Sequence, residues 1–269
     1  MPAGRQEKII LMEQAVKEGK YIYCLIKESQ PKTFGLLGIG GRGDQLYTIC
    51  SDGVSAVVSN ALVKKYAVSR DNTLAHEKAI EEVMKEYTVL PVRFCTIAEN
   101  EGVVRKILER EKDKLRPLFD KVEGKRELGL MAHFKEEAVY AEIMEKYQDI
   151  SRLKKEIETL PPLKTYQQRM AIGRMVETAL REENKTYREL ILESLTPLAE
   201  EVKENNCYGE IMIINAAFLI KKEQEAEFDA KVNELDDKYG RLIRFKYTGN
   251  LPPFNFVNLI IETGKYSCS

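Results

Sequence analysis

Apolar residues recur along this chain with two periods, and the period changes near its middle. A short helix is predicted over residues 6–18, where Ile9, Ile10, Met12 and Val16 fall near one side. Residues 21–27 (YIYCLIK) are aromatic and β-branched, which predicts a strand. A glycine-rich stretch follows over residues 34–43. Residues 46–50 and 54–59 then read as two strands parted by Ser51-Asp52-Gly53, and Asp-Gly between apolar runs is a strong hairpin signal. Residues 74–87 predict a helix with Leu74, Ile80, Val83, Met84 and Tyr87 as its stripe and Asn72 or Thr73 as its cap. Residues 89–94 predict a strand, which Pro91 assigns to an edge or a bulge. A long helix over 99–119 and a strand over 127–134 close this half.

From residue 136 to 203 the pattern is helical and highly charged. Val139, Ile143, Tyr147, Ile150, Leu153, Ile157 and Leu160 are spaced by three or four, the narrow stripe of a coiled-coil seam. Leu160-Pro161-Pro162 stops that helix. A second stripe (Tyr166, Met170, Gly173, Val176, Leu180) and a third (Tyr187, Ile191, Leu195, Leu198, Val202) run on to Lys203. Two helices joined by a short proline turn can bury their seams against each other, so a helical hairpin over about 136–203 is predicted. The end returns to short-period patterning: a long strand within 207–220, a helix over 223–239, a strand over 242–247, a turn over 249–253 and a last strand over 254–262.

The order of elements predicts an α+β chain of two domains. An N-terminal ferredoxin-like sheet-and-helix domain spans 20–124, after a helical extension over 1–19. A C-terminal α+β domain spans 125–269 and carries the charged hairpin. The 269 residues suffice for sizeable cores without disulfides or metals.

Charge narrows the partners. Lys+Arg is 42 and Asp+Glu is 43, so no basic excess draws the chain to nucleic acid. The longest apolar stretch, residues 211–220, is interrupted by Asn215 and is too short to cross a bilayer. Residues 1–20 are polar and amphipathic rather than signal-like, so a cytoplasmic location is expected. The five cysteines form no CxxC pair, and with two histidines no local zinc set exists; most of the cysteines read as small core residues.

Chemistry-bearing patterns are few. Gly38-Ile39-Gly40-Gly41-Arg42-Gly43 matches a dinucleotide-binding spacing, but that chemistry needs a helix after the last glycine, and a strand-like segment follows. A flexible connection is the expectation. His76 reads as a solvated or partner-facing residue on a charged helical face, with no nucleophile marked for it. No catalytic, cofactor or metal residue is expected. Val89-Leu90-Pro91-Val92-Arg93-Phe94-Cys95-Thr96 is an apolar run with one arginine. Arg93 either snorkels from the strand or pairs with a carboxylate, or it anchors an interface.

Several stretches, in order, resemble the gas vesicle F/L family. Tyr21-Ile22-Tyr23-Cys24-Leu25-Ile26 resembles its opening strand, Gly38-Ile39-Gly40-Gly41 its glycine turn, and Val54-Ser55-Ala56-Val57-Val58-Ser59 its L-A-A-V-V-S-like strand. His76 in Leu74-Ala75-His76-Glu77 resembles the histidine that opens its first helix. Val89 to Thr96 resembles V-L-P-V-R-F-G-T, the most specific element, with Cys95 at the usual glycine. Gly249-Asn250-Leu251-Pro252-Pro253-Phe254-Asn255-Phe256-Val257 resembles G-P-W-P-P-Y-N-F-V, with Leu251 where Trp is common.

The resemblance implies a non-enzymatic accessory role in building a hollow, gas-holding protein shell, or a minor place in that vesicle. The implied partners are the small shell protein and other accessory proteins, with no membrane, nucleic acid, metal or cofactor. Pro91, Arg93 and Phe94 are the expected partner-binding residues: strand alternation turns Arg93 and Phe94 to opposite faces, with Phe94 packed inward and Arg93 in the contact or the reverse. The alternative is a small-ligand-binding or enzymatic protein on a ferredoxin-like scaffold, which hosts many functions.

Overall fold

The structure, a computed structural model, describes residues 17–262. The helix expected over 6–18 lies almost wholly outside these, as does the tail after residue 262. Contacts divide the chain into two compact units: residues up to Arg116 together with those from Leu259 onward, and Pro117–Asn258. The sequence pattern puts the boundary at 124/125, where an element ends. The contact boundary instead falls inside a helix that runs on to Val122.

The first unit begins with β1 (Glu18–Ile26), β2 (Thr33–Gly35), β3 (Leu46–Ser51) and β4 (Val54–Leu62). Asp52 and Gly53, with φ of 48° and 85°, make the tight β3–β4 turn, as that dipeptide predicts. Then come α1 (Arg70–Met84), β5 (Val89–Pro91), β6 (Ile97–Ala98) and α2 (Glu101–Val122). The sheet runs β2-β3-β4-β1-β5, with β6 also on β1, and all pairs are antiparallel. Tyr21 to Ile26 are at most 1% exposed, so β1 is buried on both faces; this is why its sequence is a continuous apolar run rather than an alternation. A bulge at Tyr23 shifts its register against β4. Ala79, Ile80 and Val83 of α1 pack on Tyr21, Tyr23, Ile26 and Val57.

Four strands precede the first helix, so this unit does not have the expected ferredoxin-like succession. That β-α-β-β-α-β succession occurs in the second unit. Its elements are β7 (Lys125–Phe134), the helices α3 (Glu136–Lys146), α4 (Gln148–Glu158) and α5 (Tyr166–Leu195), β8 (Glu201–Glu204), β9 (Met212–Lys221), α6 (Glu225–Tyr239) and β10 (Ile243–Leu251). Its antiparallel order is β10-β7-β9-β8. Local patterning finds strands and helices but not which strands pair.

The charged middle is a hairpin of α3 and α4 packed on α5. Ile143, Ile150, Leu180, Ile191 and Leu195 join the core of this unit. Two details differ from expectation. The first arm is broken at Tyr147, whose hydroxyl donates to buried Glu183 (2.9 Å). The second arm ends at Leu195, and Val202 belongs to β8. The last expected strand is also absent: after Pro252-Pro253 the N–H groups of Phe256 and Val257 fold back onto the Pro253 carbonyl (3.2 and 2.9 Å).

Candidate functional site

The segment from Pro91 to Thr96 is built around His76. Strand β5 ends at Pro91, which pairs with Cys24, and the chain then turns instead of continuing as a strand to residue 94. The turn is tied to β1 at both ends: the Val92 N–H donates to the Tyr23 carbonyl and the Ile22 N–H to the Thr96 carbonyl, both at 2.9 Å. The Thr96 hydroxyl also donates to the Arg93 carbonyl (2.7 Å).

His76 is 3% exposed, not the solvated residue expected on a charged helical face with Glu77. Its Nε2 lies 3.1 Å from the Val92 carbonyl, which can only accept, so Nε2 carries the proton. Nδ1 is therefore an acceptor, and the Tyr21 hydroxyl donates to it (3.1 Å). The Cys95 N–H in turn donates to the Tyr21 oxygen (2.7 Å). Rings surround the imidazole: Tyr23 stacks on it at 5.6 Å, and Phe94 meets it edge-on at 5.7 Å. Burial pulls its pKa down to about 4, against the smaller opposing effect of the Val92 carbonyl. His76 is thus neutral and committed on both nitrogens to positioning the turn. The signal for its burial, though not for its contacts, was present in the sequence, since His76 is in helical phase with Ile80 and Val83.

Within this frame Arg93 is exposed and Phe94 half-buried against Tyr21 and His76. They differ in exposure as expected, but through a turn rather than strand alternation. Pro91 is buried.

The glycine segment is anchored rather than a plain flexible connection. Ile39 is fully buried, its N–H donates to the Tyr23 hydroxyl (2.7 Å), and the Gly38 N–H donates to the Asp44 carbonyl (2.9 Å). Strand β3 follows it, so the helix N-terminus that a pyrophosphate loop requires is not there.

In the second unit, sequence reasoning missed Glu127. This carboxylate lies on the central strand β7, 2% exposed. It accepts from the Asn255 backbone N–H (3.0 Å) and side-chain amide (2.6 Å), which pins the closing Pro252-Pro253-Phe254-Asn255-Phe256 turn and seats Phe256 on Ala217 and Leu219. Burial raises its pKa to about 7, the Asn255 hydrogen bonds opposing. It closes the charged run Lys125-Arg126-Glu127 at the start of β7, so its type and neighbours gave no signal of burial. Among the described residues no group of three or more His, Cys, Asp or Glu could hold a metal ion, and no helix is long and apolar enough to cross a membrane.

Comparison with known proteins places these motifs in a family. The model for "Gas vesicle synthesis protein GvpL/GvpF" matches residues 19–258. Gas vesicle protein F of Nostoc sp. (strain PCC 7120) is 31% identical over 247 residues, covering 91% of this chain and all of that one. The crystal structure of GvpF from Anabaena sp. PCC7120 superposes with a TM-score of 0.77 at 30% identity, over 90% of this chain and 99% of that one. That of GvpF from Microcystis aeruginosa gives 0.72 at 27% identity, with the same coverage of both chains. With the match running from the start of β1 through the Glu127-anchored turn, the chain belongs to the GvpL/GvpF family of gas vesicle synthesis proteins.

Proposed function

We propose that this protein is a non-enzymatic assembly factor of gas vesicles, acting in the cytoplasm and at the vesicle by binding the small shell subunit and other accessory proteins. Family membership over residues 19–258 supports the pathway. The observation that carries the mode of action is the turn at residues 92–96, a family-like motif held by buried hydrogen bonds yet presenting Arg93 outward. Binding energy lost to ordering is small when a contact loop is already rigid. A shell subunit must be apolar on its gas-facing side, so a soluble partner covering that surface would keep it from aggregating. In this reading the first unit makes the contact, with Arg93 in it and Phe94 and Pro91 supporting it from beneath.

The test is capture of purified shell subunit by the full chain, comparing wild type with Arg93→Ala and monitoring the fold by circular dichroism. Loss of an anchoring arginine is expected to cost about 2 kcal/mol or more, over tenfold in affinity. Undiminished capture by a well-folded Arg93→Ala chain removes Arg93 from the contact. No capture by wild type removes the shell subunit as partner.

A further inference from the structure

We propose that the groove between the glycine segment and the start of α1 is a docking site for an acidic, apolar-faced segment of a partner protein. This rests on the assembly-factor reading above and adds a second contact surface of defined chemistry. The groove measures about 850 Å³ and is walled by residues 36–41 on one side and by residues 64–78 on the other. Its apolar surface is open to solvent: of the lining residues, Leu36 is 70% exposed and Leu74 38%. Apolar side chains this exposed, clustered around one concavity, mark an interaction site better than scattered ones do.

Charge decides what fits. Lys64, Lys65 and Lys78 line the groove, and among the described lining residues Asp71 is the one carboxylate. Lys85, Lys112 and Lys121 elsewhere each pair with a carboxylate within 3.2 Å. Among the described residues the three groove lysines make no such pair, and Lys64 lies instead over the Tyr66 ring, 5.1 Å from its centre. The N-terminal end of α1, capped by Ser69, opens on the same groove and adds the positive end of its dipole. A basic rim around apolar positions complements carboxylates flanking an apolar face. A nucleic acid would leave Leu36 and Leu74 without a partner. The floor is preformed: Tyr66 is 5% exposed, and its N–H donates to the Cys95 Sγ (3.4 Å), which joins the groove to the turn that carries Arg93.

The experiment uses the full chain and a fluorescent synthetic helix with leucines along one face and glutamates elsewhere, read by anisotropy. Saturable binding that weakens as salt is raised is expected. The double reversal Lys64→Glu/Lys65→Glu is expected to weaken it about tenfold or more with an unchanged circular dichroism spectrum, and Lys64→Gln/Lys65→Gln to an intermediate degree. The proposal is overturned by equal binding to the reversed variant, or by equal binding of a probe with lysines in place of glutamates. Displacement of the probe by a DNA oligonucleotide at lower concentration would give the groove to nucleic acid. Its displacement by a synthetic peptide of residues 1–16 would give the groove to the chain's own segment. Self-association abolished by the same reversal would give it to a second copy. Shell-subunit capture run in parallel separates the two readings: capture retained when the reversed variant no longer binds the probe leaves the assembly role standing, whereas failure of capture by wild type removes that role whatever the probe does.

Discussion

Cys95 has φ +66°, a left-handed backbone conformation in which a Cβ crowds the following carbonyl. The family resemblance has glycine at this position, and the geometry gives the reason: the turn between β5 and β6 needs that conformation to return to β1. The cysteine here accepts the strain and contributes a buried sulfur that meets the Tyr66 N–H. Replacing it by glycine or by alanine removes the sulfur equally, but only alanine keeps the Cβ. Cys95→Gly should therefore be more stable than Cys95→Ala by about 1 kcal/mol in urea unfolding; the opposite order would show that the strain is relieved elsewhere. Sequence alone singled out this motif and its arginine, but it could not show that His76 lies beneath it. The stripe drawn through Leu74 hid the histidine, because Leu74, 38% exposed, faces the groove and His76 the core.

At the level of elements, long periodic segments were legible and short ones were not. The hairpin over 136–203 was visible because Val139, Ile143, Ile150 and Ile157 repeat at helical spacing, and all four are buried. Strands β2, β6 and β8 span three, two and four residues, too few for an alternation to register. The hairpin is unevenly packed: Ile143 is fully buried, whereas Leu163 near the proline turn is 96% exposed. Ile143→Ala should cost about 2–5 kcal/mol by the cavity it leaves. Leu163→Ala should stay within about 0.5 kcal/mol. Denaturation of the two variants side by side checks this, and a comparable loss in both would mean that the turn is covered in the folded chain.

For the whole molecule, two buried groups set opposing pH dependences. His76 is held at about 4 from an ordinary 6.5, so the unfolded chain takes up its proton first as pH falls; the stability it contributes is full above 6.5 and is lost towards 4. Glu127 is raised from 4.5 to about 7, so the unfolded chain releases its proton first as pH rises; its contribution is full below 4.5 and is lost through 7. Their slopes cancel in part between 4.5 and 6.5. Unfolding curves from pH 4 to 8 should show His76→Gln losing the acid-side decline and Glu127→Gln losing the decline towards neutrality. Parallel curves for either variant and wild type would show that folding does not shift that group's pKa. The fold has a further consequence at this scale, in the end of its first sheet. Strand β5 is three residues long, contains a proline with no N–H to offer, and gives way at once to a turn. A strand arriving from another molecule meets too short a ladder there to add itself, so that edge is a poor seed for cross-β fibrils even in a crowded, concentrated solution.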